Sequence, residues 1–304
     1  MGPRFVLVLS ENWTLTGGRD LPRLVRWARE AEDAGFDAVM VSEHVVLGRD
    51  ACANGVMGNP RDYALPGNQD PSMPWPGSLP LLSAIAAVTS RIRLAAAAVI
   101  TPLRHPLALA RDIGTLDLLS EGRLVVQPTV SWSRDEYAAL GVPFERRGAI
   151  LDEQLEIWAK LWRGGPVSHR GQHFAFDEVY FEPRAFREDG PRLWFGGQHL
   201  HPRLLDRLVK YGHGFHPLGR PTEDETERLS SALNAAGREP LEMIGGVRAD
   251  FPDDDSCAPL APALESIPGQ MEQGFTTFCI KPSQYIDDPD GVGAFCREVI
   301  ARTS

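Results

Sequence analysis

The sequence predicts an α/β protein folded as a (β/α)8 TIM barrel, and three observations carry that expectation. Short apolar runs of strand length alternate with amphipathic helical runs along the chain, the alternation that produces a parallel sheet. Eight strand-length runs can be placed, with Gly and Pro turn signals at their joints. The 304 residues, 43% apolar and 24% charged, suffice for one large core and show neither an internal repeat nor a dividing linker. One domain over 1–304 is expected.

The elements follow in order. Residues 5–9 form the first strand, and Ser10-Glu-Asn-Trp-Thr14 leaves it as a loop. Asp20 caps a helix in which Leu21, Leu24, Trp27, Ala28 and Ala31 share a face, and Gly35 stops it. The second strand, 37–41, runs into Ser42-Glu43-His44. Residues 46–77 lack sustained periodicity and are dense in Gly, Pro and Asn, yet contain Tyr63, Met73 and Trp75; this favours a lid over a disordered segment, with a dimer-contact arm as the other use of the same aromatics. A helix at 79–88 leads into the third strand, 91–100, which Thr101-Pro102 ends because proline removes a ladder donor. His105-Pro106 opens a helix with Leu109, Ile113, Leu116 and Leu119 at helical spacing. Ser120–Arg123 turns the chain into the fourth strand, 124–126, before Gln127-Pro-Thr-Val-Ser-Trp132. Strand, helix and strand here imply a right-handed parallel crossover.

Beyond it, 135–140 and 148–162 read as helices and 167–176 as a small hairpin turning at Arg170-Gly171. The fifth strand, 192–195, ends at Gly196-Gly197; a helix at 202–211 and a sixth strand at 214–216 follow. Helix 223–236, strand 243–249, helix 261–273, strand 276–280 and helix 290–301 complete the count.

Bulk properties exclude several classes. A formal charge of −10 without any Lys/Arg run argues against a nucleic-acid partner. No apolar run approaches a membrane span or a signal h-region, so a cytoplasmic protein is expected. Cys52, Cys257, Cys279 and Cys296 are scattered without a Cys-x-x-Cys pair and fit reduced structural thiols. The pairs His169/His173 and His199/His201 lack Cys or carboxylate partners at ligand spacing, so no metal is expected. Gly-x-Gly-x-x-Gly, P-loop, Gly-x-Ser-x-Gly and His-Glu-x-x-His motifs do not occur.

In such a barrel the chemistry sits where the strands run out at their C-terminal ends. His44 follows the second strand directly, which aims its imidazole at the barrel mouth, where its pKa suits proton transfer; a hydrogen-bonded structural histidine is the alternative. Thr129 and Ser131 follow the fourth strand and could hydrogen-bond a ring carbonyl or a phosphate, while Trp132 serves equally as core or stacking surface. Gly196-Gly197-Gln198 precedes a helix, where bare backbone N–H groups could hold a phosphate, or the glycines could simply turn the chain.

The strand at 91–100, then Pro102-Leu-Arg-His-Pro106 and Thr115-Leu-Asp-Leu-Leu-Ser-Glu-Gly-Arg123, resembles the luciferase-like monooxygenase superfamily, in particular its F420- and FMN-dependent oxidoreductases. Arg134-Asp-Glu-Tyr137, Ala139-Leu-Gly-Val-Pro-Phe-Glu-Arg-Arg-Gly148 and Leu151-Asp-Glu153 continue the resemblance over nearly the whole chain. It implies a luciferase-like barrel with inserted loops, a functional histidine at His44, and a non-prolyl cis peptide at Ala97–Ala98 serving as a bulge behind the cofactor ring. Its Trp-Phe-Gly-Gly pattern strengthens the cofactor reading of Gly196, Gly197 and Gln198, beside the contacts expected of Thr129 and Ser131, and it implies pairing of two chains as a homodimer. The function implied is hydride transfer from reduced coenzyme F420 to a small organic substrate, with a separate F420 or flavin reductase as a possible partner. An FMN-dependent two-component monooxygenase using O2, or a non-catalytic flavin-binding protein, are the alternatives. The chain departs from many relatives at three places: His199 stands for a serine, Gln127-Pro128 for Gly-Val, and Val130 for luciferase's basic residue.

Overall fold

The structure, a computed structural model, describes residues 2–303. Its centre is a closed barrel of eight parallel strands, so the expected fold class is the one observed. The strands and helices run β1 Arg4–Val8, α1 Leu21–Ala34, β2 Ala38–Val41, α2 Ser78–Ala86, β3 Arg93–Ile100, α3 Pro106–Leu119, β4 Leu124–Thr129, α4 Arg134–Ala139, α5 Arg147–Arg163, β5 Pro166–Arg170 and β6 Ala175–Tyr180. They continue with β7 Arg192–Gly197, α6 Pro202–Tyr211, β8 Gly214–Pro217, α7 Glu223–Ala235, β9 Glu242–Gly246, α8 Leu260–Leu264, α9 Ile267–Glu272, β10 Thr277–Ile280 and α10 Val292–Thr303. Around the barrel the order is β1-β10-β9-β8-β7-β4-β3-β2, while β5 and β6 pair as an antiparallel hairpin outside it.

Local chemistry sets most boundaries. Asp20 Oδ1 accepts from the Arg23 N–H to start α1, and Gly35, at φ +96°, stops it by entering the left-handed region. Pro106 begins α3 at the position where a missing N–H is harmless. At the start of α7, Thr222 and Glu225 form a reciprocal capping box.

Two departures from the sequence expectation have clear causes. The helix expected over 261–273 breaks into α8 and α9, because Pro268 has no N–H to carry a continuous hydrogen-bond ladder and sits instead in the first turn of α9, where none is needed. The fourth strand extends through Pro128 to Thr129, beyond the expected 126. Proline is tolerated there because the β3–β4 register shifts between Ala97 and Val99, and Pro128 pairs with Val99 just past the shift.

Alternation along the strands creates two cores. Outward residues such as Phe5, Leu7, Val39, Val41, Leu94 and Val126 pack under the helices with Trp27, Trp158 and Leu204. Inward residues, among them Val6, Val8, Ala38, Met40, Ala95, Ala97, Trp194, Ile244 and Cys279, fill the barrel. Its N-terminal end is closed by charge. Arg93 donates to both Glu242 oxygens at 2.9 and 2.8 Å and to Asp37, and its guanidinium lies 5.4 Å from the Trp194 ring centre. Arg4 and Thr277 bind the same Glu242 carboxylate at 2.9 and 2.6 Å. Burial works against the Arg93 charge, but Glu242 and Asp37 overcome it and raise its pKa.

Arg93→Ala is expected to destabilise the protein by roughly 3 kcal/mol, because it leaves Asp37 without its cation and Glu242 with the more exposed Arg4 alone. Urea denaturation of the variant against the wild type checks this.

Candidate active site in the barrel mouth

The side chain of His44 leaves β2 at its C-terminal end and is 9% exposed. Its Nδ1 lies 3.3 Å from Oε2 of Glu136, a carboxylate of α4 whose side chain is fully buried. The other oxygen, Oε1, accepts the Val45 N–H at 2.6 Å and the Val46 N–H at 3.4 Å. Glu136 is thus fixed by the backbone that follows His44, and its Oε2 draws an N–H to Nδ1. Nε2 is left for a ligand. Three indoles surround the imidazole in sequence: Trp132 meets it edge-on at 5.5 Å, Trp75 at 5.0 Å, and Trp13 stands against Trp75 at 5.6 Å.

The barrel order places the expected cofactor residues on consecutive strands. Next to His44 on β2 comes β3, whose Ala97–Ala98 peptide bond is cis. Next is β4, with Thr129 at its end and Ser131 two residues on, held at φ +55° with its hydroxyl buried and unpartnered. Then β7 brings Gly196 and Gly197. A Cβ on Gly196 would fall 2.4 Å from the His216 carbonyl oxygen and 2.9 Å from Gln127 Nε2, so packing across β8 and β4 requires this glycine. Gln198 stands apart from this wall with an exposed side chain. The first turn of α6 also has fewer free donors than the sequence suggested, because Pro202 has no N–H and His201 Nδ1 accepts the Leu204 N–H at 3.2 Å.

The loop 46–77 lies over the mouth. From β2 it reaches the far side of the barrel, where Asn59 donates to the carbonyls of Asp253 and Ser256, and Arg61 pairs with Asp287 at 2.6 Å. Tyr63 packs against the barrel interior, and burial pushes its phenol pKa well above 10. The loop then returns with Trp75 on His44, and Trp13 Nε1 donates to the Pro74 carbonyl at 3.2 Å.

Beneath Tyr63 is a charge that sequence reasoning did not single out. Lys281, following β10, has a fully buried side chain; its Nζ donates to the Asp62 and Glu11 carbonyls at 2.5 and 3.3 Å and lies 4.8 Å from the Tyr63 ring centre. The nearest carboxylate, Glu11 Oε2, is 4.0 Å away and accepts the Ala64 N–H at 2.8 Å. Burial lowers the Lys281 pKa to about 8. Glu136 was missed as well; its only sequence signal is the Arg134-Asp-Glu-Tyr137 segment, which names no role for the third residue.

Comparison with known proteins accords with this architecture. The family described as luciferase-like monooxygenase matches residues 4–249, and the chain belongs to that family. It is 36% identical over 223 residues to the Mycobacterium tuberculosis protein Rv0953c, covering 71% of this chain and 76% of that one. A shorter match, 35% identical over 112 residues, covers 35% of this chain and 30% of the pyrimidine monooxygenase RutA of Methylorubrum populi. Among solved structures, the monooxygenase RslO1 of Streptomyces bottropensis superposes with a TM-score of 0.65 at 22% identity, covering 98% of this chain and 82% of that one. An F420-dependent secondary alcohol dehydrogenase superposes with a TM-score of 0.72 at 15% identity over 100% of both chains. Among the described residues no helix is long and apolar enough to cross a membrane, and no group of three or more His, Cys, Asp or Glu is placed to hold a metal ion.

The Lys281 environment gives a signed pH dependence. Its pKa falls from an ordinary 10.5 to about 8 in the fold, so between those values the unfolded chain keeps a proton that the native protein has released. Native stability attributable to this group therefore rises with pH through that window. Relative to Lys281→Met, the wild type is expected to gain about 2 kcal/mol between roughly pH 7.5 and 9.5, measured by urea denaturation at both values.

Proposed function

We propose that this protein is an oxidoreductase that binds reduced coenzyme F420 in the barrel mouth and directs a hydride to an electrophilic carbon of a small organic substrate, with His44 giving the adjacent heteroatom a proton. The observation that carries the reading is the His44–Glu136 pair set beside the small-residue wall at Ala97–Ala98 under an aromatic roof. The donor set fits a flat heterocycle with carbonyl edges. Ser131 Oγ and Trp75 Nε1 are both buried without partners among the described residues, and Ala97 and Ala98 leave no side chain beyond Cβ in the way.

The reduced ring, when bound, supplies the hydride. The rest falls to the protein. Ala97–Ala98, Thr129 and Ser131 would hold the ring, with Gly196 and Gly197 next along the wall. Gln198 would bind a more exposed part of the cofactor. Glu136 holds the His44 ring through its Nδ1–H, so that the ring gives a proton from Nε2 when it enters the step as the imidazolium and is left neutral, with Nδ1–H still engaged. The 46–77 loop excludes water, which strengthens these interactions and protects a reductant from side reactions.

Support for F420 over FMN comes from the Pro102–Pro106 and Val142–Gly148 segments and from the end-to-end superposition on the F420-dependent alcohol dehydrogenase. The similarity to RutA favours a second reading, an FMN-dependent monooxygenase served by a separate flavin reductase. We further propose a homodimer, in keeping with the pairing of luciferase-like relatives.

Titration of the protein with F420 and with FMN is expected to show tighter F420 binding; tighter FMN binding would replace the first reading by the second. His44→Ala is expected to keep cofactor affinity and lower kcat by about 10²–10⁴-fold. Unchanged turnover would remove His44 from the proton step. Replacing the interior of the 46–77 loop with a short Gly/Ser linker is expected to leave a cofactor-binding dimer that has lost substrate selectivity. A monomer with unaltered selectivity would make the loop a dimer arm.

A further inference from the structure

We propose that Gln127 recognises the cofactor: its side-chain amide N–H, oriented by a hydrogen-bond chain from Cys279 through His216, donates to a ring carbonyl of the planar cofactor bound against Ala97–Ala98. The inference rests on the reading of the mouth as a flavin or deazaflavin site.

Cys279 Sγ lies 3.9 Å from His216 Nε2, and His216 Nδ1 lies 3.0 Å from Gln127 Oε1. Cys279 sits in the barrel's apolar interior, where burial pushes its thiol up to about 12 and keeps it an S–H donor. His216 stands beside Trp194, and burial pushes its imidazole down to about 4, so it is neutral and has one N–H to give. The thiol donates into Nε2, which leaves the ring proton on Nδ1. That proton goes to Gln127 Oε1. With the chain running this way the amide turns Oε1 to His216, and its NH2 end is the one left over.

That end meets no acceptor. Among the described residues Gln127 Nε2 has no hydrogen-bond partner, although the residue is only 7% exposed. An N–H that keeps contact with open space and has no protein acceptor is a donor that a ligand carbonyl can engage. The position suits a ring on the proposed wall, since Gln127 pairs with Ala97 across β3 and β4. Gly196 completes the arrangement, because a Cβ there would come within 2.9 Å of the Gln127 amide nitrogen. A glutamine therefore occupies a place where many F420-dependent relatives have a glycine, and the neighbouring strand leaves room for it.

Binding of oxidised F420 and of FMN to the wild type, Gln127→Leu and Gln127→Met, followed by fluorescence, tests the proposal. Wild-type protein that binds neither defeats the cofactor reading itself, whatever Gln127 does. Given wild-type binding, both variants are expected to fold and to bind about tenfold more weakly, the loss of one hydrogen bond. Folded variants with unchanged affinity overturn the role of Gln127. A readout independent of variant folding is the ¹⁵N spectrum of His216 in the wild type. It is expected to show the Nδ1-protonated tautomer with no titration between pH 5 and 8, and an Nε2-protonated ring would reverse the hydrogen-bond chain and sink the proposal.

Discussion

A single carboxylate at the end of β2 holds the mouth together. Glu43 is 2% exposed in its side chain, and its two oxygens serve four donors. Oε1 takes the Ile100 N–H at 3.2 Å and the Arg104 guanidinium at 2.7 Å, while Oε2 takes the Ser78 hydroxyl at 2.7 Å and, more weakly, the Ser78 N–H at 3.5 Å. These donors are the last residue of β3, the approach to α3 and the first residue of α2. Burying a carboxylate is unfavourable by several kcal/mol unless it is paired and fully hydrogen-bonded, and here both conditions hold. The consequence is geometric: the two ends of the 46–77 loop are stapled at Glu43 and Ser78, and β3 is anchored just beyond its cis peptide. His44, the next residue, inherits its position from this clamp.

Much of the barrel was legible because its signals are local. The run at 91–100, ended by Thr101-Pro102, and the 3.6-residue stripe Leu109, Ile113 and Leu116 each specify their element without help from distant residues. The expected cis bond at Ala97–Ala98, by contrast, came from resemblance, since four consecutive alanines carry no signal of their own. The missed features depend on long-range packing. Glu136 meets His44 across 92 positions of sequence, and Lys281 reaches Glu11 across 270. No spacing rule links residues so far apart. Pro268 was visible in the sequence, but the apolar pattern around it was read as one helix when the missing backbone donor was the stronger constraint.

The glycines at the end of β7 show how one local pattern can have two physical causes. A Gly-Gly before a helix reads equally as a phosphate cradle or a turn. The structure adds a third reason for Gly196, the close approach of the His216 carbonyl and the Gln127 amide. Gly197 is less constrained, facing Leu204 of α6 at 3.0 Å from the position of a Cβ. These contacts are compatible with a ligand nearby, but they account for glycine at 196 without one.

The mouth divides by chemistry into two arcs, and the division explains why the loop crosses it as it does. From β2 through β3 and β4 to β7 the wall is small, aromatic or hydroxylic, suited to a flat ring. Across the barrel, β1 and β10 contribute Glu11 and Lys281, a polar pair with incomplete compensation. An ammonium held mainly by two backbone carbonyls remains an electrostatic burden on whatever covers it, as its lowered pKa shows. The cover is the segment from Asp62 to Ala64, which supplies one of those carbonyls, an aromatic face and an N–H to Glu11. The same segment therefore both compensates the charge and confines it.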